Sequence, residues 1–217
     1  MKFQTSNGVL SCTPDRLIVA GWTGRDLSSV DHHIAELAEL GVPAPSSVPL
    51  YYECAPALLT QESEIHALGT KTSGEAEPFL LRLNGQIWLG LASDHTDRAL
   101  EAHSVAASKQ ICAKPVAETL WRFDEVEPNL DDYVLRSWIE EDGSWTLYQE
   151  GTLASILPLR HLIEGAGLTD GSAMLCGTLP AIGGVRPSAG FRMSLSDPTN
   201  GQSIDWRYRT TNLRIIS

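Results

Sequence analysis

No window of this 217-residue chain approaches the roughly eighteen uninterrupted apolar residues that a bilayer-spanning helix requires. The opening MKFQTSNGVL lacks the basic-then-apolar pattern of a signal peptide, so the expected location is cytoplasmic, away from any membrane. Cysteine is scarce and scattered. Cys12, Cys54, Cys112 and Cys176 have no paired spacing of the kind that holds zinc or forms a redox dithiol, and they read as buried thiols. Cations are in deficit as well, with 16 Lys and Arg against 27 Asp and Glu and a formal net charge of -11. That balance argues against a nucleic-acid partner, because affinity for a polyanion rests on cations that neutralise phosphates. A small charged substrate is still allowed, since a local pocket can oppose the global sign. Also missing are internal repeats, low-complexity tracts and long linkers. The phosphate loop, the dinucleotide glycine fingerprint and the G-x-S-x-G nucleophile elbow are absent too.

What is present fits a globular protein with a full core: 42% hydrophobic and 20% charged residues in a chain long enough for one large domain. The nearest thing to a boundary is GVPAPSSVP, Gly41 to Pro49. It separates an N-terminal segment, residues 1–48, from residues 49–217, the two forming one compact unit. Before the boundary, DHHIAELAEL puts Ile34, Leu37 and Leu40 at helical spacing, with Asp31 as N-cap and Gly41 as the stop. After it the pattern turns mainly to strands: EPFLLRL, QIWLGLA, YVLRSWIEEDGSWTLYQEG, SAMLCGT, FRMSLSD and DWRYRTTNLRII. Turn signals at Asn84-Gly85 and Asp142-Gly143 predict tight hairpins. LASILPLRHLIEGAG reads as a helix. The fold class is therefore a β-rich α+β domain, its strands wrapped into a barrel-like or sandwich-like roll with a few flanking helices.

The first hairpin can be worked out geometrically. If Asn84 and Gly85 are the two central turn residues, Leu83 pairs with Gln86, and continuing that register sets Glu75 opposite Asp94. Directly opposed residues share a face, with Cβ atoms roughly 4.5 to 5.5 Å apart, and Glu77, two positions on, points the same way. Glu75, Glu77 and Asp94 thus converge. Ala92 and Gly90 on the facing strand predict room beside them, whereas Asp97 has the wrong parity. Like charges facing across a sheet are destabilising, so the trio needs either open solvent at a frayed hairpin end or a cation. All-oxygen ligands would select Mg2+, Mn2+ or Ca2+ rather than zinc.

The pieces GEAE, DHTDR, SKQICAKP and CGTLPAIGG, in this order, resemble the fumarylacetoacetate hydrolase superfamily. YQEGTLASILPLRHLI is similar to its Gln-x-Gly strand-to-helix passage, and RPSAGFRMSLSD to its Pro-Gly-Asp turn; together the likeness runs over most of residues 70 to 196. The resemblance implies a β-roll, often homodimeric, with a divalent ion held by Glu75, Glu77 and Asp94. It also implies a water-activating pair in HIAE, His33 and Glu36, on a lid helix, with His32 pointing elsewhere. Lys109 matches the family lysine that binds the acid or keto group of the substrate, with Lys114 as its rival. Arg98 matches an arginine near the site, or else is a structural partner of Asp97 or Glu101. Gly177 and Thr178 match a substrate-binding Gly-Thr. His95 and His103 have no counterpart and read as structural or exposed, and Trp22, Tyr51 and Tyr52 as pocket wall or core.

Two departures stand out: this chain crosses directly at Asn84-Gly85 where the family inserts an excursion, and GWTGRDLSSVD replaces the family's tight Gly-x-Asn-Tyr approach. The implied activity is metal-dependent hydrolysis of a carbon-carbon bond in a small 2,4-dioxo acid of the acylpyruvate type, through a metal-stabilised enolate. Decarboxylation, hydration or isomerisation of a 2-oxo acid passes through a related enolate and is the alternative, as is a non-catalytic ligand-binding role.

Overall fold

The structure, a computed structural model, describes residues 1–39 and 44–216; the side chains of residues 29, 33 and 36–39 also lie outside the description. Two open sheets carry the fold. The larger has the strand order Trp121–Arg122, Gln86–Ser93, Ala76–Leu83, Ser172–Leu175, Arg16–Gly21 and Leu50–Cys54. The smaller runs Ser144–Thr152, Val134–Glu141, Gly190–Ser196, Ser203–Leu213 and Glu64–Leu68. In the smaller sheet side chains alternate: Leu135, Ile139, Phe191, Met193, Leu195 and Ile204 point inward, against Leu80, Leu89, Leu91 and Met174 of the larger sheet. The larger sheet is buried on both faces, which is why FLLRL and IWLGLA read as near-continuous apolar runs. Its outer face carries a second core of Phe79, Leu81 and Trp88 under Phe3, Val116 and Leu120. Each such side chain contributes roughly 1.5 to 3 kcal/mol by leaving water.

The expected barrel is not closed. Each large sheet ends in edge strands, and Trp121–Arg122, two residues long, is too short to carry the ladder onward. Strands do lie mainly after residue 49, but they also form before it. RLIVAG forms Arg16–Gly21 and lies inside the larger sheet, parallel to Ser172–Leu175 and antiparallel to Leu50–Cys54. A short apolar run without alternation carries no periodic signal that separates strand from helix.

Both hairpins form as the turn dipeptides require. Asn84 and Gly85 have φ of 53° and 74°, and Asp142 and Gly143 have 49° and 77°, the left-handed region that a two-residue turn of this twist demands. Leu83 pairs with Gln86 and Ala76 with Ser93. The N-terminal helix spans Leu27–Glu39, beginning five residues earlier than an N-cap at Asp31 implied. Asp26 caps it instead, its Oδ1 accepting the Ser28 N–H at 3.0 Å. The expected stop at Gly41 lies outside the described residues. LASILPLRHLIEGAG is not one helix: a 3-10 turn, Leu153–Ser155, is followed by Leu159–Gly165. Pro158 has no N–H to give and forces Leu157 away from helical geometry, so the two turns cannot join. Among the described residues no helix is long and apolar enough to cross a membrane.

Candidate metal centre

Glu75 precedes the strand Ala76–Leu83 and Asp94 follows its partner Gln86–Ser93. The Asp94 N–H donates to the Glu75 carbonyl at 3.0 Å, carrying the register one pair past the last ladder rung. Glu77 pairs with Ala92. One oxygen from each of Glu75, Glu77 and Asp94 lies within 4.8 Å of the others. The hairpin end is not solvated, since Glu77 is 2% exposed and Asp94 0%. Nor does Gly90 leave room for a ligand: a Cβ there would meet Leu120 Cδ2 at 2.7 Å, because Leu120 fills that space.

Buried carboxylates need counter-charge. Asp94 receives two ammonium groups, Lys109 Nζ on Oδ2 and Lys114 Nζ on Oδ1, the latter at 2.8 Å. Lys114 also donates to the His95 carbonyl at 2.6 Å. Arg98 reaches Glu75 Oε2 at 3.2 Å and Glu101 at 2.8 Å, and its Nε donates to Ser73 at 2.7 Å. Among the described residues, Glu77 receives only a backbone N–H, that of Gly177, on Oε2 at 2.7 Å. Burial lifts the Glu77 carboxyl well above the usual range, and the nearby Asp94 and Glu75 charges add to it, while Lys109 and the Gly177 N–H pull the other way without prevailing. Burial would raise Asp94 as well, but Lys109 and Lys114 override it and hold that carboxyl below its usual range. Burial likewise opposes the Lys109 charge, yet Asp94, Glu75 and Glu77 keep its ammonium above the ordinary lysine range.

The donor set fits a hard divalent ion. It is all oxygen, with no nitrogen or sulfur ligand in the trio. Among the described residues, Oε1 of Glu75 and of Glu77 accepts no hydrogen bond, so each acid keeps an uncommitted oxygen. The raised Glu77 carboxyl marks a buried acid to which, among the described residues, no cationic side chain is bonded, so a cation has a place beside it.

The chain matches, over residues 20–208, the model of a family described as a protein of unknown function, DUF2848. It belongs to that family. No curated protein sequence matches it. The DUF2848 chain is similar in structure to Cg1458 with an inhibitor, at TM-score 0.70 and 19% identity over 95% of this chain and 81% of that one. It is also similar to 2-keto-3-deoxy-D-arabinonate dehydratase in its apo form, at TM-score 0.66 and 15% identity over 94% and 75% of the two chains. The same dehydratase complexed with magnesium and 2,5-dioxopentanoate aligns at TM-score 0.63 and 14% identity over the same shares. At these identities the likeness is one of fold.

Around this centre the DUF2848 chain uses its other singled-out residues in different ways. Lys109 lies on the helix Val105–Gln110, capped by Ser104, with its Nζ 5.8 Å from the Tyr52 ring centroid. Lys114 lies on a two-residue strand beside Leu59–Thr60. Both lysines, not one, meet Asp94. Gly177 has φ of 92°, and a Cβ there would fall 1.7 Å from Thr23 Oγ1. Its neighbour Thr178 donates its hydroxyl to the Ala76 carbonyl and accepts from Gln149 Nε2, both at 2.7 Å. Gln149, from YQEG, carries the greatest share of this scaffold: it also accepts the Ala76 N–H at 3.0 Å and donates to the Leu179 carbonyl at 2.7 Å. Sequence reasoning assigned it no role, although the Gln-x-Gly signal was in view.

Asp97 Oδ1 caps a short helix by accepting the Ala99 and Leu100 N–H groups. His95 is buried, bonded to Tyr208 at 2.9 Å and Thr72 at 2.8 Å. Burial, aided by Lys114 and Arg98, pushes its pKa down to about 3, so the ring is neutral. His32 and His103 are exposed. Tyr52 faces the site while Tyr51 packs on the main core, and Trp22, at φ of 59°, donates its indole N–H to the Tyr52 hydroxyl at 3.4 Å. His33 and Glu36 stand on the helix Leu27–Glu39, with side chains outside the described residues.

Proposed function

We propose that this DUF2848 protein is a divalent-metal-dependent enzyme of the fumarylacetoacetate hydrolase superfamily that acts on small 2-oxo acids. The observation that carries the reading is the cluster of half-buried Glu75 with buried Glu77 and Asp94, and Lys109 against it. The fold shared with a dehydratase complexed with magnesium and 2,5-dioxopentanoate supports it. A bound Mg2+ or Mn2+ would act as a Lewis acid toward negative charge developing on the substrate oxygens.

The chain's own groups then have distinct tasks. Glu75, Glu77 and Asp94 hold the ion. Lys109, slightly exposed where Lys114 is not, receives the substrate carboxylate or keto oxygen. Arg98 fixes Glu75 through their ion pair, and the Gly177 N–H and Thr178 hold Glu77 and its strand in register. His33 and Glu36, one turn apart on their helix, take the proton from an attacking water.

Within this class the reaction we favour is hydrolytic cleavage of a carbon-carbon bond in an acylpyruvate-type 2,4-dioxo acid. Dehydration is the second reading, favoured by the dehydratase likeness, and it does not need the water-activating pair. A screen of acylpyruvates, oxaloacetate and 2-keto-3-deoxy sugar acids with Mg2+ or Mn2+ tests the proposal. Turnover is expected to require the ion and to fall at least roughly a hundredfold in Glu75→Ala. Turnover that survives chelation or that substitution defeats the mechanism.

A further inference from the structure

Asp94 presents one negative charge to two ammonium groups, and only one of these has access to solvent. Lys109 has 8% of its side chain exposed; Lys114 has 0%, as does Asp94. Lys114 is thus walled in from any ligand, with Asp94 Oδ1 and the His95 carbonyl as its oxygen acceptors. A buried lysine is costly, and a single ammonium would suffice to neutralise Asp94. The second one alters the charge of the whole centre. Among the described residues, and with Glu77 ionised as ion binding would require, Glu75, Glu77 and Asp94 are matched in number by Arg98, Lys109 and Lys114; Glu101, on Arg98, is 29% exposed and screened by water.

We infer that Lys114 is a charge-setting residue: it keeps the ion's full surplus charge unneutralised by the protein, so that the loaded centre selects ligands that carry or develop two negative charges over ligands that carry one. The inference rests on the reading of the trio as a metal centre and deepens it. A 2-oxo acid is a monoanion in the ground state and becomes a dianion as its keto oxygen takes charge. Lys114 therefore favours the later species through the field alone, without touching it. Removing its charge would leave one buried carboxylate unbalanced and cancel half of a divalent ion's surplus.

Oxalate and oxamate test this, being planar and nearly the same size but differing by one charge. Their binding to the full-length protein at saturating Mn2+ is measured by titration calorimetry, and Mn2+ binding separately without them. Wild-type protein is expected to prefer oxalate by roughly tenfold or more. Lys114→Met is expected to lower that preference by roughly tenfold while raising Mn2+ affinity, because a cation beside the ion has gone. Opposite movement is the signature, since mere structural damage would weaken both. Lys114→Gln serves as the second variant, and Lys114→Arg should restore the preference.

Equal binding of the two probes to wild-type protein overturns the inference without any variant. An unchanged ratio in Lys114→Met, or a joint fall of ratio and Mn2+ affinity, overturns it as well. If Mn2+ binding depends on Glu77 but the ratio does not depend on Lys114, this inference alone falls. If wild-type protein binds no Mn2+, the metal-centre reading falls with it.

Discussion

Replacing Glu77 by Gln removes one charge from the buried trio while keeping the side chain's shape and an oxygen for the Gly177 N–H. At an effective dielectric of about 20, two like charges within 4.8 Å of each other repel by roughly 3.5 kcal/mol or more. Lys109 offsets part of this, so relief of about 1 to 2 kcal/mol is a reasonable expectation for the metal-free protein. For a chain of this size that corresponds to a rise in Tm of about 2 to 8 °C. The pH dependence has a definite sign. Because the folded Glu77 carboxyl lies above its unfolded value, its protonated form contributes stability below the ordinary carboxylate range, and that contribution is lost as pH rises through the raised folded pKa. Wild-type metal-free protein should therefore lose stability over that rise where Glu77→Gln does not. Adding Mg2+ or Mn2+ at about 100 times Kd should stabilise wild type by about 2.7 kcal/mol and the variant far less. The assay is thermal denaturation of both proteins across pH, with and without the ion. A variant that is less stable without metal and gains as much as wild type from the ion would refute both the electrostatics and the ligand assignment.

Gly177→Ala should destabilise by roughly 2 to 4 kcal/mol in urea denaturation, since it meets Thr23 and needs a left-handed backbone; Thr23→Ala in the same chain should restore only some of the steric part, because its Cβ remains. Gln149→Leu leaves the Ala76 N–H and the Ser137 hydroxyl without the buried oxygen they both donate to. A cost of about 2 to 4 kcal/mol is expected, with weaker Mn2+ binding by calorimetry; an unchanged ion affinity would show that the hairpin end holds its shape without Gln149.

The acid trio was legible because its signal is short-range. Asn84-Gly85 dictates a two-residue turn, the turn dictates register, and register dictates that Glu75 faces Asp94. The counter-ions were less so. Lys109 and Lys114 read as rivals for one role because spacing along a helix and a short strand does not say where two long side chains end, and only the tertiary arrangement brings both to Asp94. Volume was also hidden. Gly90 predicts open space, yet Leu120, thirty positions on, fills it. RLIVAG and the cap at Asp26 were missed for local reasons: a short apolar run has no period, and Asp31, inside the helix, offers the same capping side chain as Asp26 in front of it.

Glu77 and the Gly177 N–H that binds it stand 100 positions apart along the chain. Closing so long a loop is entropically slow, and contacts of this span form late in a folding reaction. During synthesis both strands of the acidic hairpin are thus made well before their backbone anchor at Gly177. A chain still short of residue 177 lacks that anchor, and Glu77 is then without the N–H that holds it in the finished fold.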